Sequence, residues 1–414
     1  MRNINKYRSS VIILLILFLS ILIFSKCINS NDTKKISTAK YTYADFAGSA
    51  SCGGCHKSIY DSHIHTAHFH TSEPATAKSI MGSFDAGKNT FRFSSGGIVE
   101  MRKEGDAFYQ VGYMNGAEAK KQRFDITVGS GTKGQSYLTW ADSNLLQMPI
   151  TYFTPADKWS NSPGYPDRMA FGRPITSRCL ECHITYAEKM SEPFAEPVAL
   201  DKNRLMLGVD CERCHGPGAK HVAFQTQNPN EKTARFIINP ASFSRQQSLD
   251  MCAFCHGGRL KKTKPSFEFT AGDKLWDYFV MDTAAKDANT IDVHGNQYGL
   301  LAASKCFKNS KILTCVTCHN THENEKGKTA LFSQRCATCH NDKHDGAVLC
   351  KMTKTIGPQI SKNCTGCHMP EEPSMAIAVL LQDDVIPTRA SMHTHLIKPY
   401  PEETQKILAF LKKN

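Results

Sequence analysis

The sequence predicts short helices and extensive loops with little side-chain core of their own, interrupted by one small antiparallel β module. Two observations predict it. The pattern Cys-x-x-Cys-His occurs seven times, starting at Cys52, Cys179, Cys211, Cys252, Cys315, Cys336 and Cys364. The last six follow one another at steps of 32, 41, 63, 21 and 28 residues, too close for a conventional core between them. The gap of 127 residues between the first and second motifs instead carries strand-like alternation.

The chain has 414 residues, which suggests two to three domains. Charged residues make up 21% and Trp numbers only 3, so disordered, collagen-like and polytopic membrane classes are excluded. Fourteen of the 17 Cys lie in the repeated motif. Chance would supply about 0.03 such motifs in a chain of this composition, and the pattern is the attachment signal for haem c. In each motif the two thiols add to the haem vinyl groups, and the following His falls under the iron. The covalent set is Cys52, Cys55, Cys179, Cys182, Cys211, Cys214, Cys252, Cys255, Cys315, Cys318, Cys336, Cys339, Cys364 and Cys367. The proximal ligands are His56, His183, His215, His256, His319, His340 and His368. Zinc also takes Cys-x-x-Cys pairs, but a zinc site gives no reason for His after every second Cys. Seven covalent haems leave the porphyrins themselves as the apolar filling.

Residues 1–26 read as a signal peptide or N-terminal membrane anchor. Arg2, Lys6 and Arg8 precede an apolar run from Val11 to Phe24. About 15 apolar residues suit a secretory core better than a spanning helix, which needs roughly 20. Cys27 follows directly, so a lipid anchor there is an alternative, although Lys26 stands where a lipobox wants a small residue. All of these export the protein to the periplasm or cell envelope, and residues 27–46 form a polar tether.

The formal net charge is +12, and the first 26 residues carry four of those positives, leaving +8. Fourteen propionates on seven haems would bring the rest to about −6 reduced and about +1 oxidised. The basic composition therefore says nothing for nucleic acid, and none is expected as a partner.

The body divides further. Residues 47–83 hold the first haem. Residues 84–160 form the β-rich insertion, where Phe91, Phe93, Phe108, Phe124, Ile126 and Val128 alternate with polar neighbours and Asn115-Gly116 marks a hairpin. Its expected role is to cover a haem face, with a partner-docking surface as the alternative. Residues 161–372 are the six-haem core. Residues 373–414 carry distal His candidates and a short helix from Glu402 to Lys413. No repeat longer than the haem motif is evident.

Ten His remain for the sixth iron position: His63, His65, His68, His70, His221, His294, His322, His344, His393 and His395. His322 stands three residues after His319, too near to cap the same iron from the other face, and reaches a neighbouring haem. The same logic applies to His221 after His215 and His344 after His340. The cluster from His63 to His70 supplies at least one ligand, His393 or His395 another, and His294 is a further candidate. Six irons are thereby provided for, and one haem is left open to being five-coordinate. Outside the motifs, Cys306 and Cys350 are expected to pair as a disulfide in an oxidising compartment.

The stretch Cys211-Glu212-Arg213-Cys214-His215-Gly216-Pro217-Gly218 running to His221-Val222 resembles the CxxCHGPGxxHV signature of the cytochrome c-552/4 (c554/c-prime) type of multihaem cytochromes. Cys364 to Pro370 is similar to that family's CHMP ending, and Cys318-His319-Asn320-Thr321-His322 to its CHxPH element with Thr for Pro. Gly48 to His68, Val128 to Gly131 and Ser162 to Tyr165 also match, so the resemblance covers roughly residues 47–395. It implies a mainly α fold, with extensive loops around covalently bound haems and haem packing related to hydroxylamine oxidoreductase and pentahaem nitrite reductase. It implies electron transfer, and distal-ligand positions at His68, His221, His322, His344 and one of His393 and His395. No motif replaces the proximal His by Lys, and no Tyr is placed to announce a haem crosslink, which weighs against catalysis.

The reading is an exported heptahaem electron carrier with no catalytic residue. Its expected partners are other redox proteins or a membrane quinol-oxidising complex, with membrane association through the N-terminus. The alternative is a multihaem oxidoreductase acting on a small nitrogen or sulfur compound at one five-coordinate haem. A third reading, a conduit on the outer cell surface, differs from the first in location alone.

Overall fold

The computed structural model describes residues 40–281, 288–341 and 350–413. The expected export segment, Cys27, most of the tether and His344 lie outside the described residues. No helix among the described residues is long and apolar enough to cross a membrane.

The alternation in the long gap becomes strands. β1 (Ser72–Pro74) follows the first motif segment; β2 (Thr90–Arg92), β3 (Ile98–Glu104), β4 (Ala107–Met114) and β5 (Ala117–Phe124) form a four-stranded antiparallel sheet in chain order. The β4–β5 turn is made by Asn115 and Gly116, both at positive φ (53° and 80°), the conformation a tight hairpin needs. A second sheet has the order β1, β6 (Ile126–Val128), β7 (Ser136–Ala141), β8 (Asn144–Gln147), β11 (Arg173–Pro174). Between β8 and β11, β9 (Ile150–Phe153) pairs with β10 (Lys158–Asn161).

These sheets share one apolar core. Phe91, Phe93, Val99, Met101, Phe108, Phe124, Tyr137, Met148, Ile150 and Trp159 are buried together. Each such side chain contributes about 1.5–3 kcal/mol when fully buried. Gln110 locks the sheets together: its amide donates to the Ile150 carbonyl at 2.8 Å and accepts from the Ile150 amide at 3.1 Å.

Strands also occur far from this insertion. β12 (Ile184–Lys189) pairs with β13 (Leu200–Leu207), β14 (Leu260–Lys262) with β15 (Phe279–Met281), and β16 (Glu371–Val379) with β17 (Thr388–His393). The mainly α expectation is therefore overturned: strand and helix are comparable in extent. The physical reason lies between the motifs. Those linkers satisfy their backbone groups by folding back as hairpins, which leaves the motif helices one to three turns long.

Each motif sits on or at the end of such a helix: Ser49–Gly53, Ser177–His183, Cys211–His215, Arg245–His256, Thr329–Ala337, Cys364–His368 and the 3₁₀ turn Cys315–Thr317. Three of their starts are capped by side chains. Asp210 accepts from the Cys211 amide at 2.7 Å, Ser244 and Gln247 form a capping box, and Asn363 accepts from the Gly366 amide.

Hydrogen bonds then bind motif to motif. Thr71 and Ser72 both donate to the His183 carbonyl, at 3.0 and 2.8 Å, and accept from the Val209 and Gly208 amides. Gly208 is required there, since a Cβ would lie 2.3 Å from the Phe69 carbonyl oxygen. Glu212, inside the third motif and buried, accepts from the amides of Ala47, Gly48 and Gly218 at 2.9, 2.8 and 2.6 Å. The chain end entering the first motif is thus clamped to the third.

Candidate functional site

One helical turn places residues i, i+3 and i+4 on a common face. The His56 amide donates to the Cys52 carbonyl at 2.8 Å, and His319 to Cys315 and His340 to Cys336 at 3.0 Å each. The two thiols and the imidazole of a motif thereby share a face, which is what covalent haem attachment requires.

The imidazoles come in spaced pairs. Ring centroids of His68 and His256 lie 6.2 Å apart, those of His215 and His322 6.1 Å, and those of His319 and His395 6.0 Å. A metal–imidazole bond of about 2 Å and a ring radius of about 1.1 Å put the centroids of two trans imidazoles about 6 Å apart. Each pair joins a proximal His to a candidate distal His from another segment.

Their charge state fits the same role. Burial lowers His68, His183, His294, His319, His322 and His368 below the ordinary imidazole value, and takes His256 and His395 down to about 4. A neutral imidazole keeps the lone pair that a metal takes. Three Nδ1 atoms are held by backbone carbonyls: His215 by Ile238 at 3.0 Å, His221 by Arg235 at 2.8 Å and His393 by Met369 at 2.6 Å. A donating Nδ1–H leaves Nε2 as the coordinating atom. These features fit haem c.

His294 lies within electrostatic reach of His183 and His256. His221 and His393 lie on the exposed side of the body. His65 is exposed, and His70 pairs with Glu73 at 2.9 Å. His63 belongs to the cluster from His63 to His70 expected to supply a ligand. It is buried, neither ring nitrogen has a hydrogen-bond partner, and its ring lies 6.3 Å from that of His322.

Thiol contacts give the motifs a spatial order. Cys52 touches Cys211, Cys182 touches Cys255, Cys252 touches Cys315, and Cys336 touches Cys364. Cys214 lies within electrostatic reach of Cys252 and Cys255, and Cys339 of Cys318. The motifs therefore run first, third, fourth, fifth, sixth, seventh, with the second set against the fourth.

The expected Cys306–Cys350 disulfide is not made; both are free thiols. Cys306, on the short helix Lys305–Asn309, neighbours Cys318 and Cys339, whereas Cys350 neighbours Cys367. The chain carries them to different haem motifs.

Comparison with known proteins points to a multihaem c-type cytochrome. Residues 167–216 match the family described as cytochrome c554 and c-prime. The chain is 25% identical over 198 residues to the multiheme cytochrome MtrA of Shewanella baltica (strain OS185), a match covering 46% of this chain. The chain spans about half the length of that relative, 51%. The crystal structure of the outer cell wall cytochrome OcwA is similar in fold, with a TM-score of 0.52 at 17% identity over 87% of this chain and 81% of that one.

Proposed function

We propose that this multihaem c-type cytochrome carries seven covalently attached haem c groups and passes electrons along them outside the cytoplasm. The three imidazole pairs spaced 6.0–6.2 Å apart carry the reading. An iron capped on both faces offers no position to a substrate and serves electron transfer. Haem c, when bound, supplies the one-electron chemistry.

The chain's own residues do the rest. The seven proximal His would hold the irons, and His68, His221, His294, His322, His344, His393 and His395 are proposed as their second ligands. Carbonyls of Ile238, Arg235 and Met369 orient three of these imidazoles. The touching cysteine pairs bring neighbouring attachment points close enough for stepwise transfer. An apolar run behind basic residues at the N-terminus supports export, as does likeness to an outer cell wall cytochrome. Anchoring through the N-terminus or Cys27 follows the same pattern. The partners are other redox proteins or a membrane quinol-oxidising complex.

His63 favours a second reading, an oxidoreductase for a small nitrogen or sulfur compound at one open haem, because a buried imidazole with no hydrogen bond, 3.7 Å from the Asp210 carboxylate, could serve such a pocket. Low-temperature EPR of the oxidised holoprotein tests both, with haem quantitation by absorbance. Seven haems, all low-spin and unmoved by nitrite or hydroxylamine, are expected. A high-spin signal that shifts on addition would overturn the carrier reading.

A further inference from the structure

The positions that the haem motif leaves variable meet where the second, third and fourth motifs converge. Arg178 directly precedes the second motif and Glu181 lies within it; Arg213 lies within the third and Phe254 within the fourth. Phe254 is buried, stacked on Phe269 at 4.9 Å. The guanidinium of Arg213 lies 4.3 Å from the centre of its ring and that of Arg178 4.9 Å. Arg178 donates to the Phe254 carbonyl, and Arg213 to the Glu181 carbonyl at 3.2 Å.

Glu181 is the sole carboxylate placed against these two cations among the described residues. One of its oxygens accepts from the Phe267 amide at 3.1 Å. The other is buried without a hydrogen bond, 3.8 Å from an Arg178 Nη1 that is likewise buried and unsatisfied. Lys262 and Lys189 also face Glu181; Lys262 is paired with Glu196 at 3.1 Å. The cluster is thus net positive whether Glu181 is ionised or not. Both guanidiniums act on Cys255, and Arg178 acts on Cys182, the touching pair that joins the second and fourth motifs.

We propose that this partly buried cationic cluster makes the haem site of Cys252, Cys255 and His256 the most easily reduced in the chain, so that electrons collect at the junction of the second, third, fourth and fifth motifs. The proposal rests on the carrier reading. Reduction adds one electron, taken from a neighbouring reduced haem, and lowers the charge at the iron by one with no bond made or broken. A fixed positive charge at short range favours that change, and it is screened less at a partly buried site than in open water. The Phe254 ring lies within cation–π distance of both guanidiniums and neutralises neither. The junction would then act as a shared reservoir between the main line of motifs and the second motif beside it.

The test is a redox titration of the full-length, haem-loaded protein, followed by absorbance and EPR. Arg213→Gln and Arg178→Gln should each lower the highest-potential step, shifting the electron's distribution between that haem and its neighbours about tenfold, with the haem count unchanged. Arg213→Lys, which keeps the charge, should leave the step in place. His68→Met alters the ligand facing His256, and the signal it moves should be the one the Gln variants move. Unchanged titrations in both Gln variants, or movement of a signal that His68→Met leaves alone, would overturn the proposal. If Arg213→Gln fails to mature, Arg178→Gln and Arg213→Lys decide it. A nitrite-responsive high-spin iron in the unaltered protein would sink the carrier reading separately, whatever the variants do.

Discussion

The β insertion and the haem-motif body solve the problem of a core in opposite ways. Between Phe91 and Trp159 the protein buries its own rings: Phe91, Phe93, Phe124 and Tyr137 are at most 1% exposed. Around the last three motifs the buried apolar set shrinks to Ile356, Ile360 and Cys367, while Ile312 and Val316 remain 79% and 51% exposed. The first region has what it needs to fold from its side chains alone. The second has motif helices whose apolar partner is the porphyrin, so its stability is linked to cofactor attachment.

The largest expected effect follows from that contrast. Protein made without haem attachment should keep slow hydrogen exchange at Val99, Val111 and Tyr137, while amides of the fifth to seventh motifs exchange freely. Uniform loss of protection would show that the insertion also depends on haem. Next, Phe124→Ala in the loaded protein should destabilise the insertion by about 3–5 kcal/mol, read by denaturant unfolding followed through tryptophan fluorescence. Haem absorbance should change later than the fluorescence; coincident transitions would mean the two regions unfold as one.

Glu212→Ala acts on the other side of the comparison. It strands three backbone amides at the clamp between the first and third motifs, at a cost of about 3 kcal/mol. The transition seen by haem absorbance should move and the fluorescence transition should not. A smaller, pH-dependent effect belongs to the insertion. Burial alone would raise the Glu100 carboxyl, but hydrogen bonds from Arg102, Tyr113 and Asn89 outweigh it and hold the group below its ordinary 4.5. A depressed carboxyl stabilises the fold above that value and loses the contribution as pH falls through its folded value. Stability of the insertion should therefore decline below about pH 4.5, and Glu100→Gln should flatten the decline. Smallest, Gly116→Ala should cost about 1 kcal/mol through its positive φ alone, since nothing lies within 4 Å of the added methyl.

Much of the insertion was legible because alternation is local: Phe91 and Phe93 face inward through the period of a strand, and Asn115-Gly116 turns the chain by its own backbone preference. The shared face of each motif's thiols and imidazole was legible for a similar reason, since they lie within five residues. Hairpins such as β12–β13 were missed because their pairing partners are separated by a linker whose length gives no strand signal. The Cys306–Cys350 pairing failed because compartment and parity say that two thiols could join, whereas only the fold says whether they meet.

By itself the sequence determined the chemistry of each motif: the residue types, their helical spacing and the imidazole that follows. Only the tertiary structure decided which motif lies against which, which distal imidazole faces which proximal one, and that Arg178, Arg213 and Phe254 share one site. The reason is range. Covalent attachment and strand periodicity act over a few residues, whereas the meeting of His68 with His256, or of Cys52 with Cys211, depends on how every intervening segment packs.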